Sequence, residues 1–350
     1  MGFEKNIRRV VPYVPGEQPS GTDIIKLNTN ENPYPPSPKT AEAIRNFASD
    51  ENRLYPDPAA SELVSAIASE YGIRESEVFV GVGSDDVLGM CFLTFFNGQL
   101  PVLFADITYS FYDVWAELFR IPYETVPLDD EFTIRPEDYE KPAGGIVIAN
   151  PNAPTGKLLP AGDLERIISG HPECVVIVDE AYVDFGGESA LGLIRRYNNL
   201  IVVRTFSKSR SLAGVRIGYA MADETLIRCL NDVKYSYNSY TMSRLAIKAG
   251  TASISDKDYF RECLERIIAT RERSTGLLEK LGFEVVPSAS NFLFVTHPEK
   301  QAEDIFNYLK SRKIYVRWWN KPRIRNYLRI TVGTDAQMDQ LAEALGGFLT

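Results

Sequence analysis

The chain has 350 residues, 44% hydrophobic and 24% charged, which excludes a disordered or fibrous protein and leaves room for two domains. A formal net charge of -9 and an isoelectric point near 5.1 argue against a nucleic-acid or acidic-membrane binder, so any anionic ligand needs positive charge gathered locally. Cys91, Cys174, Cys229 and Cys263 are widely spaced with no C-x-x-C pair; reduced, core-packed thiols are expected, not a zinc site or a disulfide framework.

The opening "MGFEKNIRRVV" has no apolar signal core, Asn6 breaks the acylation pattern, and no apolar run approaches bilayer length. A cytoplasmic protein is the expectation. Residues 1–37 are rich in proline, asparagine and glycine and are expected to be an extended arm packing with a small C-terminal domain. Residues 38–253 are expected to form the large domain. There "SELVSAIASEYG" and "SDDVLGMCFLTFF" read as helices, and "EVFVGVG", "LPVLFAD", "GIVIAN", "CVVIVDEAY", "NLIVVRTF" and "RIGYAM" as strands buried on both faces. Residues 254–350 begin with a long linking helix, "DYFRECLERIIATRERSTGLLEKLG". Shorter elements follow, with strands at "FEVVPS", "NFLFVT", "IYVRWW" and "YLRITVG", a helix from Glu303 to Leu309 and a terminal helix, together a smaller α+β domain.

Chemistry is expected at the ends of the large-domain strands. Only His171 and His297 are available, both before proline, so a histidine-based nucleophile or metal site is not expected. "VVIVDEAY" carries Asp179 out of an apolar run, where a carboxylate is costly unless it faces a cation or strong donors. "GVGSDDV" sets Gly81, Gly83 and Ser84 between a strand and a helix, which presents backbone N–H groups to an anion. "NPNAPTG" offers Asn150 and Asn152 on a loop fixed by two prolines. "RTFSKSRSLAGVRIG" ends a strand at Ser207 and Lys208, with Arg216 eight residues after the lysine. A lysine amine near an acid and a phosphate cradle is what pyridoxal phosphate requires: an amine for its aldehyde, an aspartate for its pyridine nitrogen, and a helix start with hydroxyls and an arginine for its phosphate.

Six motifs, "LNTNENPYPP", "NRLYPDP", "NPNAPTG", "VDEAYVDF", "RTFSKSRSLAGVRIGY" and "YLRITVG", stand in the order found in fold-type-I aminotransferases. The chain resembles that family over essentially its whole length, and most closely the histidinol-phosphate aminotransferases. The resemblance implies an α/β large domain with a mostly parallel seven-stranded sheet sandwiched by helices, plus the smaller α+β domain, and pyridoxal 5'-phosphate as cofactor. It implies that Lys208 holds the cofactor as a Schiff base and shuttles a proton, and that Asp179 partners the pyridinium. Tyr182 and Asn152 are then donors to the phenolic oxygen, and Tyr109 stacks on the ring. Gly83, Ser84, Asp85, Ser207 and Arg216 form the phosphate cup. Tyr55 reaches the active site of the neighbouring subunit of a homodimer, and Tyr13, Asn30, Arg317 and Arg329 recognise the substrate.

Two positions depart from the pattern: Ala153 stands where an asparagine often precedes P-T-G, and Ile107 where a proline often precedes "TY". Arg323 and Arg325 are expected to be surface charges, and Arg210 has no expected role. The implied reaction exchanges the amino group of L-histidinol phosphate with 2-oxoglutarate in histidine biosynthesis. The alternatives are an aromatic amino-acid aminotransferase, if Tyr235, Tyr237 and Tyr240 line the substrate pocket, and a threonine-phosphate decarboxylase of the same fold. A cofactor-sensing regulator lacks a DNA-binding segment in this sequence.

Overall fold

The computed structural model describes residues 2–350. Strand β1 (Ile25–Lys26) lies in the arm. Then β2 (Val78–Gly81), β3 (Val102–Ala105), β4 (Tyr123–Val126), β5 (Gly145–Ala149), β6 (Val176–Asp179), β7 (Leu200–Thr205) and β8 (Gly218–Ala222) form one sheet in the order β2-β8-β7-β6-β5-β3-β4. Every pairing is parallel except those of β8, which runs against both β2 and β7.

The continuous apolar runs follow from burial on both faces. Along β5, β6 and β7 alternate side chains enter two separate cores: Ile146, Ile148, Val176, Val178, Leu200 and Val202 one, and Val147, Ile177, Ile201 and Val203 the other. Each such side chain contributes about 1.5–3 kcal/mol by leaving water, so the strand register is strongly fixed. The strand β4 escaped the sequence reading because it is an edge strand, with Tyr123, Glu124 and Thr125 exposed and only Val126 buried. The helix Ser84–Phe95 follows β2 after two residues and buries Val87, Leu88, Cys91 and Phe92 beneath the sheet.

The 24-residue helix Lys257–Lys280 leads to a second, antiparallel sheet. It contains β9 (Glu284–Val286) and β10 (Phe292–Thr296). Next come β11 (Ile314–Tyr315), β12 (Arg317–Trp318) and β13 (Leu328–Thr331), and the sheet order is β12-β13-β10-β9. The expected single strand "IYVRWW" is two strands in two sheets. It divides at Val316, with β11 pairing in parallel with β1 of the arm and β12 pairing with β13. The expected helix from Glu303 to Leu309 spans Ala302–Ser311. Leu27 sits in the core of this second sheet, and its carbonyl accepts from the Thr331 amide at 2.9 Å.

Gly218 of β8 lies against the start of the helix Ser84–Phe95, where an added Cβ would run into the backbone of Gly83 and Ser84. Backbone cannot rotate away as a side chain can. Gly218→Ala is therefore expected to cost about 1–3 kcal/mol in urea unfolding.

Candidate active site

The parallel strands deliver their chemistry at their C-terminal ends. Asp179 closes β6 and is 5% exposed. Its carboxylate accepts from Tyr112 Oη at 2.8 Å and from the Ala181 amide at 3.1 Å, and it forms no ion pair among the described residues. Burial pushes its pKa up to about 6, against the opposing pull of those two donors. The next residue is treated oppositely. Glu180 is equally buried but pairs with Arg204 at 2.9 Å and accepts from Ser189 at 2.7 Å. One carboxylate is thus compensated from within the fold, and the other is left facing a cavity.

Lys208 follows β7 by three residues. Its Nζ donates to the Thr29 carbonyl at 3.1 Å and lies 5.7 Å from the Tyr182 ring centre, while Asn32 Nδ2 holds the Lys208 carbonyl at 3.1 Å. The third group is built where β2 turns into the helix Ser84–Phe95. Gly83 has φ +89°, and a Cβ there would meet the Arg216 guanidinium at 2.5 Å, so only glycine lets the arginine lie against the helix start. Arg216 Nη1 donates to Ser207 Oγ at 3.3 Å and Nη2 to Asp85 Oδ2 at 3.3 Å. Tyr109 Oη donates to the other Asp85 oxygen at 2.7 Å. The first N–H groups of a helix have no partner within it, so the start of this one is an anion site backed by a guanidinium and a hydroxyl.

These groups line one cavity of about 110 Å³, whose walls are Ser84, Asp85, Tyr109, Asp179, Tyr182, Ser207, Lys208 and Arg216 with Ala149, Pro151, Ala153, Ala181 and Thr205. It runs into an outer cavity of about 650 Å³ bordered by Tyr13, Asn30, Arg317, Trp319 and Arg329. Tyr13 stacks on Phe111 at 4.2 Å. Burial raises the Tyr13 pKa, while Arg317 and Arg329 pull it down. Arg329 has its guanidinium 5.3 Å from the Phe292 ring centre and 5.1 Å from Trp319, and donates to the Asn28 carbonyl at 2.9 Å. No ion pair compensates it among the described residues, its Nε is buried without a partner, and desolvation lowers its pKa. Asn30, in the left-handed region at φ +57°, donates from its amide to Tyr182 Oη at 2.9 Å, so it orients that phenol.

Several expectations need correction. Asn152 does not face the inner cavity: its amide donates to the Ile107 carbonyl at 2.9 Å and to Thr155 Oγ1 at 3.0 Å, and its oxygen accepts from Thr108 at 2.8 Å. It ties the loop of Tyr109 to the sheet instead, and Ala153 occupies the wall. Arg323 is no free surface charge, since it bonds Asp106 and the Leu128 and Asp129 carbonyls. Arg210 is buried, donating to the Ser253 carbonyl at 2.8 Å under Phe260. Tyr235, Tyr237 and Tyr240 lie outside both cavities and are 45–73% exposed. Tyr55, expected to serve a neighbouring subunit and not its own, is 77% exposed and stacked on Tyr240 at 4.6 Å. The sequence reading missed Tyr112, whose signal was its place on a buried helix start three residues after Tyr109. It also missed Thr29, whose contribution is a backbone carbonyl.

Residues 22–345 match the family model described as aminotransferase class I and II. The chain is 53% identical to the histidinol-phosphate aminotransferase of Aromatoleum aromaticum over 347 residues, covering 98% of each chain. The chain belongs to the histidinol-phosphate aminotransferases of that family. The enzyme of this family from Lactococcus lactis subsp. cremoris is 49% identical, covering 100% of this chain and 98% of its own. Among solved structures, the Sinorhizobium meliloti histidinol-phosphate aminotransferase in complex with pyridoxal-5'-phosphate superposes with a TM-score of 0.83 at 28% identity, over 93% of this chain and 90% of that one. A putative histidinol-phosphate aminotransferase from Erwinia carotovora atroseptica shares the fold at a TM-score of 0.86 and 24% identity, over 93% and 96% of the two chains.

Class I and II aminotransferases work with pyridoxal phosphate, and the cavity fits that group. A buried carboxylate without a cation suits a protonated ring nitrogen, the helix start with Arg216 suits a phosphate, and an amine lies with them on the same cavity wall.

The raised Asp179 pKa has a definite sign in the cofactor-free protein. Between about pH 4 and pH 6 the unfolded chain gives up this proton first, so burial of Asp179 destabilises the fold progressively as pH rises. The Asp179→Asn apoprotein is expected to gain on the order of 3 kcal/mol over wild type between about pH 4 and pH 7. Parallel urea unfolding of the two apoproteins at both pH values checks this; a difference independent of pH contradicts it.

Proposed function

We propose that this chain transfers the amino group of L-histidinol phosphate to 2-oxoglutarate, yielding imidazole acetol phosphate and L-glutamate in histidine biosynthesis. The observation that carries the substrate side is the uncompensated Arg329, joined by Arg317, at the mouth of a cavity whose wall holds Lys208 and Asp179. A planar guanidinium donates two parallel bonds to a phosphate or a carboxylate, so one mouth serves a phosphate ester and a dicarboxylic acid in turn. The relatives named above supply the ester's identity. The aromatic amino-acid alternative loses its support within the subunit, because Tyr235, Tyr237 and Tyr240 line neither of its cavities.

Pyridoxal phosphate, when bound, supplies a carbonyl that accepts an amino group and a protonated ring that withdraws electrons from the reacting carbon. Asp179 would hold the proton at the ring nitrogen, and its carboxylate is kept in place by Tyr112 and the Ala181 amide. Ser84, Ser207 and Arg216 would bind the phosphate, Tyr109 would cover the ring, and Tyr182, oriented by Asn30, would donate to the phenolic oxygen. Lys208 Nζ, held by the Thr29 carbonyl beside the Tyr182 ring, would remove the proton from the donor's α-carbon and deliver one on the other side of the exchange. Tyr13 and Arg317 close over the outer cavity from the arm and from β12. Lys321 adds positive charge at the same mouth.

A cytoplasmic homodimer belongs to the same reading. No helix among the described residues is long and apolar enough to cross a membrane. Tyr55 stacks on Tyr240, and Arg244 donates to its carbonyl at 3.1 Å; its ring is 77% exposed, and in the homodimer it would complete the phosphate cup of the second copy.

Lys208→Ala is expected to lower turnover at least about 10⁴-fold while leaving the far-ultraviolet dichroism and the unfolding midpoint close to wild type. Arg329→Lys is expected to raise KM for histidinol phosphate about 10–100-fold, because an ammonium cannot replace the bidentate fork. Single-turnover bleaching of the yellow holoenzyme by histidinol phosphate, phenylalanine and glutamate tests the donor. The reading expects the first to act fastest, and equal or faster bleaching by phenylalanine overturns it.

A further inference from the structure

We infer that Arg323 is a positioning residue that latches one wall of the substrate cavity, tying the loop that carries Trp319 to the root of the loop that carries Tyr109. The loop from 319 to 327 joins β12 to β13. Arg323 sits in it in the left-handed region at φ +67°. The guanidinium then makes three bonds to the large-sheet side: Asp106 Oδ2 at 2.9 Å, the Leu128 carbonyl at 2.8 Å and the Asp129 carbonyl at 2.7 Å. The neighbouring Ile324 is buried in the large-sheet core, while Phe132 lies 5.9 Å from the guanidinium and packs edge-on against Tyr327.

What the latch joins gives it a function. Asp106 comes directly after β3, and its other oxygen accepts from the Leu128 amide at 2.9 Å. Ile107, Thr108 and Tyr109 follow at once along the cavity wall. At the far end of the latched loop, the Trp319 ring lies 5.2 Å from the Arg317 guanidinium and 5.1 Å from that of Arg329. Arg323 therefore holds together the loop of Tyr109, whose ring lines both cavities, and the indole against which Arg317 and Arg329 rest. It touches none of the reacting atoms. Its side chain is 35% exposed and that of Asp106 25%, so the latch can open and is weakened by salt. Without it, the incoming substrate must order this wall itself, and the loss falls on binding rather than on chemistry.

The inference rests on the outer cavity being the substrate's, as proposed above. Its test compares wild-type, Arg323→Ala, Arg323→Lys, Asp106→Ala and the double-alanine holoenzymes in steady-state kinetics and in glutamate bleaching. Arg323→Ala is expected to raise KM for histidinol phosphate, and the half-saturating glutamate concentration, about tenfold with kcat within about threefold. The double variant is expected to be no worse than the worse single one, and lysine is expected to recover part of the loss. Trypsin cleavage after Arg325 should quicken in Arg323→Ala and slow again on saturation with substrate. If Arg323→Ala does not fold, Arg323→Lys carries the same expectation at smaller size, since it keeps the charge but not the fork. Unchanged half-saturation for both donors, or strictly additive losses from Arg323 and Asp106, overturns the latch. A wild-type enzyme that ignores histidinol phosphate contradicts the functional reading instead, and the glutamate comparison then still decides the latch.

Discussion

A buried carboxylate with no cation beside it is the constraint around which this site is arranged. Asp179 stands at the end of a strand buried on both faces, and its two donors, Tyr112 and the Ala181 amide, offset only part of the cost of removing its charge from water. Glu180 shows what the same fold does when a carboxylate is purely structural: it supplies Arg204 and a serine hydroxyl. The contrast between adjacent residues follows from strand geometry, since neighbours point to opposite faces. One face of that strand end closes a polar network, and the other opens on the inner cavity.

The sheet makes this arrangement possible. Parallel strands packed between two cores are rigid, and their ends converge along one edge, so Asp179, Lys208 and the helix start at Ser84 are placed by the backbone rather than by flexible side chains. Two tight approaches support it. Gly83 admits the Arg216 guanidinium, and Gly218 admits the helix start itself. The antiparallel β8 brings Gly218 to that point, beside β2 and opposite Thr205 of β7.

Residues whose partners are close in sequence, or whose chemistry is unusual in an apolar run, were legible from the sequence alone. Asp179, Lys208 and the glycine-flanked Ser84 stood out because each interrupts a strand pattern, and the structure brings all three to one cavity. The six large-sheet strands with continuous apolar runs were legible for the same reason. What was not legible depended on distant partners. The resemblance implies Asn152 as a cofactor contact, but nothing in "NPNAPTG" reveals that Ile107 and Thr108 occupy its side-chain amide. The edge strand β4 has no buried face to give it a pattern, and "IYVRWW" gives no sign that it serves two sheets. Arg323 looked like one of eight basic residues between Lys310 and Arg329. Its role comes from Asp106, more than two hundred positions away.

The most direct measurement is the ¹⁵N chemical shift of ring-labelled pyridoxal phosphate bound to the wild-type protein and to Asp179→Asn at about neutral pH. If the uncompensated carboxylate exists to hold the ring proton, the nitrogen is protonated in the wild type and unprotonated in the variant. The same shift in both proteins would contradict the account.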